Sequence, residues 1–70
     1  MESLKKIREK KGITQEKASQ LIGTTLRNYQ KIENCYPEVK PNIELGLNIA
    51  SLYKKNPYTL WQVKKIDYKP

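Results

Sequence analysis

Apolar residues recur along most of the chain at the spacing of an α-helix rather than in the alternation of a half-buried strand. Leu4 and Ile7 share one face of their segment, and Tyr29 and Ile32 share one face of theirs. A spacing of three residues places two side chains on the same side of a helix. The pattern predicts helices at residues 2–11, 15–22, 26–34, 43–53 and 57–64. We therefore expect an all-α fold of five short helices.

Cap and turn residues separate the predicted helices. Thr14 and Thr25 stand where a helix begins, and threonine is a favoured N-cap because its hydroxyl accepts a hydrogen bond from a free backbone N–H. Gly12 and Gly23 stand where a helix ends, which is a common position for glycine. Two prolines within residues 35–41 cannot continue a helix, so this stretch is predicted to be a loop.

The connection between the second and third helices is only three residues long, from Gly23 to Thr25. So short a link indicates a steep crossing of the two helices, as in a helix-turn-helix, rather than an antiparallel hairpin. Ser19 is small enough to let the third helix approach the second closely. The polar face of the third helix is then free to enter the major groove of DNA, which is wide enough to admit a helix.

The fourth predicted helix is apolar on two faces. One stripe consists of Ile43, Leu47, Ala50 and Tyr53, and the other consists of Leu45, Ile49 and Leu52. A helix of this kind is either well buried or shared with a partner. Gly46 lies in its interior, where glycine costs about 1 kcal/mol relative to alanine. This cost indicates a close packing contact at Gly46.

The charge balance points to a polyanionic partner for this small helical domain. The chain has 70 residues, enough for one domain with a thin core. Its 14 basic residues against 7 acidic ones give a net charge of +7. Such an excess indicates nucleic acid first, ahead of a membrane surface, and a protein that is basic by drift is the alternative.

Histidine is absent, and Cys35 is the only cysteine. An intramolecular disulfide and a four-ligand zinc site of cysteine and histidine are therefore out of reach. Without a base beside a nucleophile or a phosphate-binding loop, an enzyme has almost no support. We expect no cofactor, and no small-molecule effector is indicated. The chain shows neither the apolar core of a signal peptide nor a membrane span, so we expect a soluble cytoplasmic protein without a membrane partner.

A resemblance to a known family is carried by the stretch LKKIREKKGITQEKASQLIGTTLRNYQKIEN, followed by PNIELGLNIASLY. These residues resemble the Cro and phage-repressor type of helix-turn-helix, also called xenobiotic-response-element-like. The resemblance implies a five-helix DNA-binding domain that acts as a homodimer on a two-fold symmetric operator. Residues 26–34 would be its recognition helix. We assign residues 1–64 to this domain and residues 65–70 to a basic C-terminal tail that need not be ordered.

The resemblance also implies roles for individual residues. Gln15 matches a residue that touches the DNA backbone and can brace a side chain that reads a base. Arg8 and Glu33 match an ion pair that ties the first helix to the third. The outward positions of the recognition helix are Thr25, Leu26, Arg27 and Lys31, and Asn28 lies close to them. The residues that the family pattern assigns to DNA are therefore Gln15, Thr25, Leu26, Arg27, Asn28 and Lys31.

The sequence departs from the family pattern at several positions. Ala18 stands where a leucine is usual, Ser19 stands where an alanine is usual, and Tyr29 replaces a smaller branched residue. We interpret Ala18 and Tyr29 as a compensating swap, in which the larger ring fills the space left by the smaller side chain. Cys35 stands where a glycine commonly ends the recognition helix, and the loop up to Pro41 is longer than usual.

Each candidate DNA contact has more than one chemical interpretation. Arg27 can grip O6 and N7 of a guanine, bind a phosphate, or remain solvated. Lys31 can read a base or bind a phosphate, and Asn28 can pair with an adenine, bind a phosphate, or simply be an exposed polar residue. Leu26 cannot hydrogen-bond through its side chain. It either packs on a thymine methyl group or seals the turn against Ile22.

Two hypotheses for the function follow from the sequence. The first is a sequence-specific transcriptional regulator that represses by occupying a promoter. Its dimerisation would use the apolar residues Leu45, Ile49, Leu52 and Trp61, with half-sites about 34–36 Å apart. The second is an antitoxin-like or other protein-interaction module with secondary DNA binding. An interaction module would need apolar anchors on the outward face of the third helix. That face is mostly polar, which favours DNA.

Overall fold

A computed structural model describes residues 2–38 and 40–61 of the chain. The helices are α1 (Leu4–Lys11), α2 (Gln15–Ile22), α3 (Leu26–Asn34), α4 (Ile43–Tyr53) and α5 (Pro57–Leu60). These residues contain no strand, and the prediction of an all-α fold with five helices is confirmed. Among the helices described, none combines the length and the apolar character that crossing a bilayer requires.

Each helix begins at a side chain that accepts a hydrogen bond from the first turn. The five capping residues are Ser3, Thr14, Thr25, Asn42 and Asn56. Because Ser3 Oγ accepts from the backbone N–H of Lys6, α1 begins at Leu4, and the predicted start at residue 2 was wrong. The predicted end of α5 at residue 64 lies outside the described residues, as does the tail 65–70.

Glycine ends α1 and α2 but not α3. Gly12 and Gly23 have φ angles of 76° and 80°, in the left-handed region that other residues enter only at a cost. The backbone N–H of Thr24 donates to the carbonyl of Ser19 over 2.9 Å, which turns the chain directly into α3. Cys35 caps α3 with a φ of −96°, so this helix ends without a left-handed residue.

The core draws on all five helices. Its buried apolar residues are Leu4, Ile7, Ala18, Ile22, Tyr29, Ile32, Ile49, Ala50, Tyr53, Leu60 and Trp61. The hydroxyl groups of Tyr29 and Tyr53 are hydrogen-bonded to each other inside this core. Burial and the bond to Tyr53 raise the pKa of Tyr29, and burial likewise raises the pKa of Tyr53. Both rings are therefore neutral parts of the core at ordinary pH.

The burial of α4 corrects the expectation for the dimer interface. Ile49 is fully buried in the core of its own chain and is not available to a second copy, and Trp61, only 6% exposed, can offer a second copy little of its surface. Leu45 and Leu52 are half-buried and pack against the same core. The second apolar stripe of α4, with Trp61, thus stabilises the monomer.

The exposed apolar side chains of α4 belong instead to the first stripe. Ile43 is 83% exposed and Leu47 is 54% exposed. Together with Tyr58, which is 46% exposed, they line a shallow apolar groove of about 370 Å³. We call this the α4–α5 groove, and its apolar lining consists of Pro41, Ile43, Gly46, Leu47, Pro57, Tyr58 and Trp61.

The structure has enough space for a larger residue than glycine at position 46. A Cβ atom built on this residue would lie 3.7 Å from Cγ of Pro41 and 3.9 Å from the ring of Trp61. Both distances are ordinary van der Waals contacts. The expected close packing contact at Gly46 therefore leaves room for a methyl group.

Candidate nucleic-acid interface

α3 is held from one side and open on the other. Its buried face consists of Tyr29, Ile32 and Glu33, and the capped turn from α2 fixes its start. The opposite face carries Arg27 and Lys31, four residues apart and both exposed. Side chains at this spacing lie next to each other on a helix. The fold thus presents one cationic ridge on a firmly packed helix.

Four of the residues expected to bind DNA lie together around one shallow, open depression. Its lining consists of Thr25, Arg27, Asn28 and Lys31. Thr25 also caps α3, because its Oγ1 accepts from the backbone N–H of Asn28 over 3.1 Å. Neither Arg27 nor Lys31 forms an ion pair with a described residue, so both positive charges remain available to an anion.

Asn28 and Leu26 occupy the two flanks of this ridge. The Nδ2 group of Asn28 donates to Oγ1 of Thr24 over 2.8 Å, and the side-chain carbonyl oxygen and second N–H of Asn28 bond to no described residue. Leu26 is 38% exposed, whereas Ile22 is buried. Leu26 is therefore not buried in the turn between α2 and α3, and part of it faces solvent beside Arg27.

Arg8 and Glu33 form a buried ion pair between α1 and α3. Arg8 Nε donates to Glu33 Oε1 over 2.9 Å, and another guanidinium nitrogen of Arg8 donates to the carbonyl of Ile13, also over 2.9 Å. Burial lowers the pKa of Arg8, but the hydrogen bond and the charge of Glu33 outweigh it, so the pKa is raised above its usual value. Arg8 thereby ties the start of α2 to α3.

Gln15 is half-buried and extends this ion pair toward the surface. Its Nε2 donates to the second carboxylate oxygen of Glu33, and its Oε1 accepts from Nε2 of Gln30 over 3.2 Å. The other N–H of the Gln15 amide bonds to no described residue. The residue lies at the N-terminus of α2, where backbone N–H groups also favour an anion. We call the four linked residues Arg8, Glu33, Gln15 and Gln30 the Gln–Glu–Arg network.

Gln30 was expected on the outward polar face of the third helix but was not among the residues assigned to DNA contacts. It lies four residues after Leu26 and three before Glu33, so it occupies the side of α3 that meets the start of α2. The spacing of Gln30 from Leu26 and Glu33 was the feature of the sequence that could have placed it beside α2. Its partner Gln15 is fifteen residues away and is brought near only by the turn between α2 and α3.

The outward face of α3 is well suited to a polyanion. Its charged side chains are Arg27 and Lys31, whereas the acidic Glu33 is buried and paired with Arg8. The chain as a whole carries a net charge of +7. A positive field of this kind attracts a polyanion at long range, and the uncommitted side chains on α3 can then contact it.

Comparison with known proteins agrees with the geometry. A model described as helix-turn-helix matches residues 4–60, a range that contains all five helices. A search of curated proteins and a search of solved structures each found no match.

Proposed function

We propose, from the premise that this chain belongs to the Cro/C1-type helix-turn-helix family of DNA-binding proteins, that α3 enters the major groove and reads a specific sequence there. The observation that carries this proposal is the depression lined by Thr25, Arg27, Asn28 and Lys31. Polar and basic side chains converge there on the open face of a helix whose other face is packed in the core. A major groove accepts a helix presented in this way.

The contacts divide into two kinds by their chemistry. Arg27 stands near the start of α3 and has the donors for a bidentate contact with guanine O6 and N7. Gln15, Lys31 and the second side-chain N–H of Asn28 supply donors for phosphates, which give affinity and register without sequence information. Regulation would follow from occupancy, because a protein bound across a promoter excludes polymerase. We therefore propose that the chain acts as a repressor.

A gel mobility-shift titration with random-sequence duplex DNA at 50 and 200 mM salt tests DNA binding through this face. We expect binding that weakens steeply with salt, by on the order of 10³-fold if about six phosphates are neutralised. Lys31→Ala should reduce the salt slope by about one unit, as the loss of one phosphate contact does. Lys5→Ala, which removes an exposed lysine of α1, is the matched control and should leave the slope unchanged. Weak binding that does not respond to salt would overturn the proposal.

The α4–α5 groove is our candidate for the dimer interface, with a second copy of the chain as its occupant. Large exposed apolar side chains clustered on one surface usually mark an interaction site. The groove shares Lys40, Pro41 and Asn42 with a second, separate depression that Asn28 and Lys31 also line, so the groove adjoins the flank of α3. Two copies joined there through a two-fold axis would present two recognition helices to successive major grooves, as a two-fold symmetric operator requires.

Analytical ultracentrifugation of the free chain and of its complex with operator DNA tests the dimer. We expect two chains per operator, with half-sites about 34–36 Å apart. A single chain both in solution and on DNA would remove this part of the proposal while leaving DNA binding intact.

A further inference from the structure

Gly46 lies in the middle of α4 although nothing inside its own chain requires a glycine there. An interior glycine destabilises a helix relative to alanine, because its backbone loses more freedom on folding. The left-handed glycines among the described residues are Gly12 and Gly23, so the conformation of Gly46 is open to other residues. A Cβ atom on Gly46 would meet only ordinary contacts, at 3.7 and 3.9 Å. The reason for this glycine therefore lies outside the single chain.

Gly46 belongs to the floor of the α4–α5 groove. Gly46 and Trp61 are buried, whereas Ile43, Leu47 and Tyr58 line the same groove with exposed side chains. Because glycine has no side chain, the floor is lower at this position than any other residue would make it. The space that the glycine creates is thus open to whatever enters the groove.

We propose that the space above Gly46 is a socket for Leu47 of a second copy of the chain, and that the two copies exchange this contact reciprocally. The contact presupposes the dimer proposed above. It adds which side chain enters the groove and why the groove contains a glycine.

The groove is complementary to itself, which favours a second copy over another occupant. Gly46 and Leu47 are adjacent in the sequence, so a socket and a large exposed apolar side chain lie side by side on one helix. In a two-fold interface both copies use the same patch, and a residue that fills a socket on its partner has its own socket filled in return. A small apolar ligand would fill the socket but would leave Ile43 and Leu47 in water.

The surroundings of Gly46 suit a branched apolar side chain. The atoms nearest to the missing Cβ are Cγ of Pro41 and Cζ3 of Trp61, and both are apolar. A methyl group of Leu47 from the second copy would contact these two atoms in the place that a Cβ would otherwise take. A well-packed interface core is as dense as a protein interior, so one additional methyl group there has no room. Gly46→Ala should therefore favour the helix of a single chain and oppose the pairing of two.

Sedimentation equilibrium of the free chain, from micromolar to millimolar concentration, and of its complex with operator duplex tests the socket. Two wild-type chains should associate, and Gly46→Ala should raise their dissociation constant roughly 5- to 150-fold, as overpacking does. Leu47→Ala should also weaken association because it leaves the socket unfilled. Leu21→Ala is the matched control, since Leu21 is equally exposed but does not line the groove. It should leave association unchanged.

Mixing two variants separates a fitted contact from a general loss of apolar surface. When Gly46→Ala is mixed with Leu47→Ala, the mixed pair has one native contact, and in the other the shortened side chain at position 47 makes room for the added methyl group. This pair should associate more tightly than either variant does with itself. When Gly46→Ala is mixed with Leu21→Ala, one overpacked contact remains, so the mixed pair should be intermediate between the two self-associations.

The outcomes distinguish the socket from the dimer and from DNA binding. A wild-type chain that sediments singly, both free and on DNA, would sink the dimer and the socket together. Two wild-type chains whose association Gly46→Ala leaves unchanged or strengthens would sink the socket alone, as would an intermediate pair of Gly46→Ala with Leu47→Ala. Sedimentation of the free chain does not depend on DNA, so a failure of the chain to bind DNA is observed separately. Circular dichroism identifies any variant that fails to fold.

Discussion

Glu33 is the residue at which three helices meet. Its carboxylate holds Arg8 of α1 through one oxygen and Gln15 of α2 through the other, while its own backbone belongs to α3. A buried carboxylate is tolerated only when its charge is balanced and its oxygens are bonded. Because both conditions depend on other helices, this residue couples the helix-turn-helix to α1.

Removing Arg8 should therefore be far more costly than removing an exposed arginine. Arg8→Leu leaves the charge of Glu33 buried without a counter-charge and should lower the free energy of unfolding by about 3–5 kcal/mol, measured by urea denaturation. Arg8→Leu combined with Glu33→Leu should cost much less, because no charge then remains in the interior. Equal losses in the single and double variants would show that burial of charge is not the cause.

The buried tyrosine pair should make the stability depend on pH in the alkaline range. The pKa of Tyr29 and that of Tyr53 are raised in the folded chain, so the folded state holds these protons more tightly than the unfolded state does. Their contribution is complete below the unfolded pKa of about 10 and is lost as the pH rises above it.

Urea denaturation at pH 8 and pH 11 measures this loss. Tyr29→Phe combined with Tyr53→Phe should reduce the fall in stability between the two pH values, because neither phenol of the buried pair remains to ionise. Deprotonation of lysines affects the wild-type chain and the double variant alike, so the difference between the two proteins reports the tyrosine pair. An identical fall in both chains would refute the assignment.

At the scale of helices, cap residues and glycines define where each element begins and ends. Thr14, Thr25 and Gly23 have local effects that act within one turn, and this is why the sequence alone predicted α2, α3 and the turn between them. The start of α1 was predicted at residue 2, whereas the cap is Ser3, whose hydroxyl accepts the bond from the backbone N–H of Lys6. The ends of a helix can thus be predicted from the sequence when every possible capping residue is compared.

Two glycine-to-alanine substitutions should have opposite signs. Gly46→Ala adds a methyl group at ordinary contact distance within α4 and should raise the free energy of unfolding by about 0.5–1 kcal/mol. Gly23→Ala meets no atom within 4 Å but places a Cβ at a φ of 80°, and should lower it by about 1–2 kcal/mol. Thermal or urea denaturation measures both. A destabilising Gly46→Ala would mean that the α4–α5 groove is packed more tightly than described.

At the scale of the whole molecule, packing decides what the sequence left open. Both stripes of α4 are apolar, so periodicity could not say which one faces inward. In the structure each stripe buries part of its length, with Tyr53 of the first stripe bonded to Tyr29 and Ile49 of the second stripe fully buried, whereas Ile43 and Leu47 stay exposed. The partner of Tyr53 is 24 positions away in the sequence. The same reason hid the bond between Gln15 and Gln30. Long-range pairing therefore accounts for the burial of Ile49, which was expected at a dimer interface, and for the omission of Gln30 from the expected DNA contacts.

Dimerisation should be lost when the exposed Leu47 is replaced by lysine and retained when the exposed Leu21 is replaced by lysine. Leu47 in the α4–α5 groove and Leu21 on α2 are 54% and 52% exposed, so a lysine at either position disturbs the core equally little. Leu47→Lys should convert the two-chain complex on operator DNA to a one-chain complex, observed by ultracentrifugation. Leu21→Lys should leave two chains on the operator. A dimer that survives Leu47→Lys would place the interface elsewhere.

The central claim is that the open face of α3 reads DNA. Substitution of Arg27 tests this claim most directly. Arg27 lies in the depression with Thr25, Asn28 and Lys31 and forms no ion pair with a described residue. Binding sites should be selected from a random duplex library by the wild-type chain and by Arg27→Ala. We predict that the wild-type motif contains a guanine whose preference Arg27→Ala loses, with about 1–3 kcal/mol of discrimination removed at that base pair. An Arg27→Ala motif identical to that of the wild-type chain would contradict the account.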